Sequence, residues 1–208
     1  MNARMLLPAA ALLCGLTCSE SLEPDPQSDV ADARAAWLRQ QEPPLEGGAM
    51  VHVLKLLDDP HPMPRMEALG VVARIGDARL WDHVGPRLED PVARVRQEAC
   101  KAAGKLNNPE AIPALAKTAA ARGEEAEVRQ EAVGALVRFG ARQDVVRALI
   151  DVLNEGGRVQ PRPQDRLIGE MTVVYKAHEG LKKLTGQSGL ADDRVAWEAW
   201  YKSKYGDP

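Results

Sequence analysis

Val95-Arg96-Gln97-Glu98-Ala99 returns, letter for letter and 33 positions later, as Val128-Arg129-Gln130-Glu131-Ala132. A recurrence at that distance marks a chain built from repeated supersecondary units. After each copy the apolar residues fall at helical spacing, Ala99, Ala103 and Leu106 in one, Ala132, Leu136 and Phe139 in the other. Each word therefore opens the same face of an amphipathic helix. The same pattern, alanine, apolar four on, apolar three further, fits Ala68, Val72 and Ile75 upstream and Ala177, Leu181 and Leu184 downstream. Four units follow, and the segments between them decide how each is built.

Ahead of each of these helices lies another apolar helical pattern. The first unit starts near Gly48 with Met50, Val53, Leu54 and Leu57, and turns at Asp59-Pro60. The second runs from Asp77 through Leu80, Trp81, Val84 and Leu88 to Asp90-Pro91, and the third from Asn108-Pro109 through Ile112, Leu115 and Ala116 to Gly140. An acidic or amide side chain before proline caps free N–H groups, and proline suits the first helical position, so these dipeptides are helix starts. Pro86 falls inside a first helix and should kink it. In the fourth unit the second helix comes late: Ala132 to Ala177 is 45 residues, against 31 and 33 before. The extra residues lie in or beside Gly156 to Pro163 and read as a loop on one face.

Before the first unit, Ala31 to Gln41 forms a helical pattern stopped by Pro43-Pro44, a cap for the N-terminal end of the stack. After the fourth, a last helix from about Asp192 places Trp197, Trp200 and Tyr201 on one face. The final unit of a solenoid has no neighbour, and these rings cover it. The hydrophobic fraction is 45% but the aromatic fraction only 4%, as suits alanine-rich contacts between close helices. A formal net charge of −3 argues against nucleic acid as the partner.

Residues 1–18 read as an export leader: Arg4, an apolar run from Met5 to Leu13, then small residues, too short to span a membrane. Gly15-Leu16-Thr17-Cys18 resembles a bacterial lipobox, which makes Cys18 a candidate lipidation site. Plain export with cleavage nearby is the other reading. Residues 19–29 carry acids, prolines and serines without a basic residue, a solvated tether. Residues 30–208 are then the folded domain. Cys100 is its one cysteine, at a packed helix position, so it reads as an inert thiol with no disulfide framework.

Paired helices with a period of 31 to 33, an Asp in the turn and an Arg six residues later (Asp59 and Arg65, Asp90 and Arg96) resemble HEAT repeats of the short bacterial type. Arg129 keeps the pattern in the third unit, where Gly123 stands at the Asp position; Val174 stands at the Arg position of the fourth. Leu184-Thr185-Gly186 followed by Asp192, Trp197 and Trp200 is similar to the C-terminal closure of such proteins. The resemblance covers about residues 48 to 205 and implies an all-α fold, a right-handed α-solenoid of about four helical hairpins with terminal capping helices. It says little of function, because the fold hosts scaffolds, lyases and hydroxylases alike.

Aligning the four second helices puts Arg74, Lys105, Arg138 and Lys183 at one position, and Glu67, Glu98, Glu131 and Lys176 seven residues earlier. The row reads either as a charged concave docking face for an acidic protein partner or as an ordinary solvated face. Arg158, Arg162 and Arg166, with Pro161 and Pro163, make the inserted loop a second binding candidate, or a spacer. His178-Glu179 is the one His-Glu pair. HEAT-type deoxyhypusine hydroxylases hold two irons with several such pairs, so the resemblance implies no metal site here, and His178 reads as a core histidine. No phosphate loop, nucleophile elbow or cysteine-rich cluster occurs, which leaves no catalytic residue or cofactor to assign. The expectation is an exported scaffold, periplasmic or membrane-anchored through an N-terminal lipid, that binds protein and not nucleic acid. The competing reading is a lyase similar to the phycobilin lyases that share these repeats.

Overall fold

Turn chemistry sets where the helices begin. In the computed structural model, which describes residues 25–45, 48–153, 164–190 and 194–206, Asp59 Oδ1 accepts the N–H of His61 at 2.8 Å and Asp90 Oδ1 that of Val92 at 2.9 Å. Asp77 and Asn108 likewise accept from Arg79 and Glu110, each at 3.0 Å. Each is the local side-chain-to-backbone bond that frees a chain to enter a helix. Among the described residues every regular element is helical: α1 (Ala31–Arg39), α2 (Ala49–Leu56), α3 (Pro62–Ile75), α4 (Trp81–Val84), α5 (Ala93–Leu106), α6 (Ile112–Ala120), α7 (Ala126–Arg138), α8 (Gln143–Leu153), α9 (Gln164–Thr185) and α10 (Arg194–Tyr205). Helix α3 ends at Gly76, with φ of 67°, and α5 at Asn107, with φ of 52°, left-handed caps that turn the chain into the next unit.

The hairpins pair as the repeat predicts. Helices α3, α5, α7 and α9 stack side by side in one layer, and α2, the segment around α4, α6 and α8 lie behind them. Pro86 breaks the first helix of the second unit more severely than a kink: α4 is one turn long, between 3-10 segments at Ala78–Leu80 and Gly85–Glu89. The contacts between second helices are built from Ala68, Ala99, Ala102, Ala103, Ala132 and Ala135, all buried, which lets the backbones approach closely. At Gly104 a Cβ would stand 2.9 Å from the Cα of Ala135, so α5 and α7 meet where only glycine fits.

Helix α1, at the N-terminal end of the stack, packs on α3 within the layer of second helices. It is the second helix of a preceding half-unit, with Arg34 and Ser28 each 31 residues before Arg65 and Asp59. One expectation needs correction: the inserted residues are not all loop. Helix α9 is 22 residues long and begins seven residues ahead of the register of α3, so Arg166 belongs to a helix. Its side chain, with residues 1–24 (Cys18 among them) and residues 154–163 (Arg158 and Arg162 among them), lies outside what the structure describes. At the far end Trp197 and Tyr201 of α10 are buried against the last unit. Rings follow one another edge-to-face from His178 to Trp197 to Trp200 to Tyr205, with centroids 5.8, 5.9 and 6.1 Å apart.

Candidate interaction surface

Two rows of basic side chains run along the layer of second helices, one near the start of each helix and one in its last turn. The first row is buried at Arg34, Arg65 and Arg129 and half-buried at Arg96. Arg65 donates Nε and Nη2 to the two carboxylate oxygens of Asp90, at 2.8 and 2.9 Å, and Nη1 to the backbone carbonyl of Asp59 at 2.8 Å. It thus holds the turn of its own unit and the turn of the next. Arg34 does the same with Asp59 (2.6 and 2.8 Å) and the carbonyl of Ser28 (2.7 Å). Arg96 repeats it with Glu124 (2.7 Å twice) and the carbonyl of Asp90 (2.7 Å). Arg129 is fully buried and donates Nε to the carbonyl of Ala119 at 3.0 Å.

Within a unit the Arg holds the backbone carbonyl of the Asp six residues before it. The carboxylate goes to the Arg of the preceding unit. Glu124 supplies it in the third unit, one residue beyond Gly123, its longer side chain making up the offset. Shifting Asp59 and Arg65 back by 31 residues would have found Ser28 and Arg34. Burial by itself raises the pKa of Asp59, but the Arg34 guanidinium and the His61 N–H outweigh it and hold the carboxyl below its ordinary value. Glu124 is lowered too: burial opposes ionisation, and Arg96 with the Glu125 N–H prevails.

The second row is Arg74, Lys105, Arg138 and Lys183, and all four are exposed. Each lies in the last turn of its helix, where a cation also complements the helix dipole, worth about 0.3–1 kcal/mol. Arg74 donates to the carbonyl of Gln41 at 2.9 Å and stands 3.9 Å from the Glu42 carboxylate. Among the described residues no ion pair engages Lys105, Arg138 or Lys183. The acidic residues two turns earlier do not neutralise the row: Glu67 pairs with Arg39 at 2.8 Å and Glu98 with Lys101 at 2.7 Å. Lys176, at the equivalent place on α9, is exposed. Gly134 leaves open space midway between Glu131 and Arg138.

The same face carries an open cleft of about 430 Å³ at the N-terminal halves of α3, α5 and α7, where Met66, Arg94, Gln97, Glu98 and Glu127 meet. Beyond it Met171 and Tyr175 of α9 are each 63% exposed, an apolar pair one turn apart. Cys100 is buried, and desolvation pushes its thiol up to about 12, so it is no nucleophile. His178 is buried against Trp197. Among the described residues no group of three or more His, Cys, Asp or Glu side chains is placed to hold a metal ion.

The family model described as HEAT repeats matches residues 50–136 and, in an overlapping placement, 81–159, together more than half of the 208-residue chain. No curated protein matches it.

Proposed function

The chain belongs to the HEAT-repeat family, and from that membership we propose that it is a non-catalytic protein-interaction scaffold whose binding surface is the exposed face of α3, α5, α7 and α9. The observation that carries this reading is the row Arg74, Lys105, Arg138 and Lys183: four equivalent cations, all exposed, the first three on helices whose units are joined by Arg–carboxylate bonds. A rigid face bearing a periodic charge suits an acidic protein partner, because little ordering cost is left to meet on association. The same proposal places the protein outside the cytoplasm, exported by the leader at 1–18 and held at a membrane by a lipid on Cys18. The support for this part is the leader pattern of residues 1–18 and the lipobox-like Gly15-Leu16-Thr17-Cys18.

Crosslinking and affinity capture from native envelopes test the role and the surface together. Wild type is compared with a variant carrying Glu at Arg74, Lys105, Arg138 and Lys183. A discrete protein captured by wild type and lost from a folded variant supports the scaffold. Capture of nothing above background by wild type removes it. Intact-mass analysis of the membrane fraction tests the anchor separately, since an unlipidated N-terminus at Cys18 ends that part of the proposal.

A further inference from the structure

The first rung of the exposed row already has an occupant, and it belongs to the chain itself. The connection between α1 and α2 runs without helix through Gln41-Glu42-Pro43-Pro44, and Arg74 takes the Gln41 carbonyl at 2.9 Å with the Glu42 carboxylate 3.9 Å away. The guanidinium thus meets a backbone acceptor and a carboxylate of one acidic, proline-containing segment. Lys105, Arg138 and Lys183 occupy the same register on the next three helices, are exposed, and among the described residues have no ion pair.

Spacing selects the conformation of a ligand for these three. Second helices in contact lie roughly 8–10 Å apart. A polyproline II segment repeats every three residues and rises about 3.1 Å per residue, which returns one face roughly every 9 Å. A β-strand returns the same face only at even residue steps, about 7 Å and then about 13 Å, and misses the rungs.

We propose that Lys105, Arg138 and Lys183 seat an acidic, proline-containing segment of a partner protein in polyproline II conformation, with a carboxylate at every third residue. The row repeats, on the next three helices, the cation that meets the Glu42 carboxylate and Gln41 carbonyl at Arg74. This rests on the scaffold reading above and adds the chemistry of the segment recognised.

The test is fluorescence anisotropy on the full chain with three dye-labelled peptides of identical composition, their glutamates placed adjacently, at every second position, or at every third. The third-position peptide is expected to bind about tenfold tighter than either isomer, as three matched exposed ion pairs allow, and to weaken with added salt. Lys105→Gln with Lys183→Gln should erase that preference while the helical circular dichroism is unchanged, and it leaves the Arg138 stem packed on Gly104. Equal affinity of the three isomers, binding of none, a preference that survives in the double variant, or equally good competition by inorganic polyphosphate would each overturn the proposal. The two readings separate in these data: native capture that depends on the row, with isomers that bind alike, overturns the polyproline II seat and leaves the scaffold standing.

Discussion

Arg65 and Arg74 sit nine residues apart on one helix, as do Arg96 and Lys105 on the next and Arg129 and Arg138 on the third. Both rows are basic and share a period, yet the structure puts them to opposite uses. The starts of α1, α3 and α5 face the turn of the following unit, where a carboxylate awaits. Arg65 and Asp90 there have side chains only 8% and 3% exposed. The end of each helix faces solvent, and at Lys105, Arg138 and Lys183 the cation has no ion pair among the described residues. The difference teaches that in a stacked chain a side chain's role follows from which edge of the layer it reaches, and that residue type alone does not decide it.

Removing Arg65 should break this contrast most severely. Arg65→Ala leaves the buried Asp90 carboxylate without its partner and opens two turns, a loss of about 3–5 kcal/mol by chemical denaturation. A loss below about 1 kcal/mol would mean that the buried row does not hold the units together. Next comes the contact that sets the spacing of both rows. Gly104→Ala forces a methyl group to within 2.9 Å of the Ala135 Cα and 3.0 Å of the Arg138 Cδ, at a cost of about 1–3 kcal/mol. If it is neutral, α5 and α7 are less tightly joined than described.

Acid should loosen the buried row before it affects the exposed one. Asp59 and Glu124 titrate below their ordinary values of 3.8 and 4.5, so their stabilisation is fully present above that range. It is lost as pH falls through the lower folded-state values. A denaturation midpoint that declines below about pH 4, with a flatter decline in Glu124→Gln, is the expected result. An unchanged slope in that variant would remove Glu124 from the account.

On the exposed side the effects are small and of opposite sign. Gly134→Ala meets open space in mid-helix and should stabilise by about 0.5–1 kcal/mol. Lys105→Ala should change stability by no more than about 0.5 kcal/mol. A clearly destabilising Lys105→Ala would show that the second row, like the first, is structural.

Much of the fold was legible because its signals are local. The pentapeptide, the alanine-anchored helical spacing and the Asp-Pro and Asn-Pro turns each act over a few residues, and the capping role of Trp197 and Tyr201 follows from their one-face spacing. The exposure of all four cations agrees with the sequence pattern. Its errors lie where a contact crosses from one unit to the next. Nothing near Asp90 in the chain points to Arg65 as its partner, 25 residues back, and the substitution of Glu124 for an acid at Gly123 works only because its longer side chain reaches Arg96 in space. The half-unit at α1 escaped the alanine-based search, since its register is carried by Ser28 and Arg34.

By itself, then, the sequence determined a helical repeat, its period and its turn chemistry, because backbone capping and amphipathic spacing are settled within a turn or two of helix. Only the tertiary structure decided which carboxylate each arginine holds, that α1 joins the stack, that Arg166 lies in a helix, and which basic row is buried. Those outcomes depend on distances between units, and such distances exist only once the helices have packed.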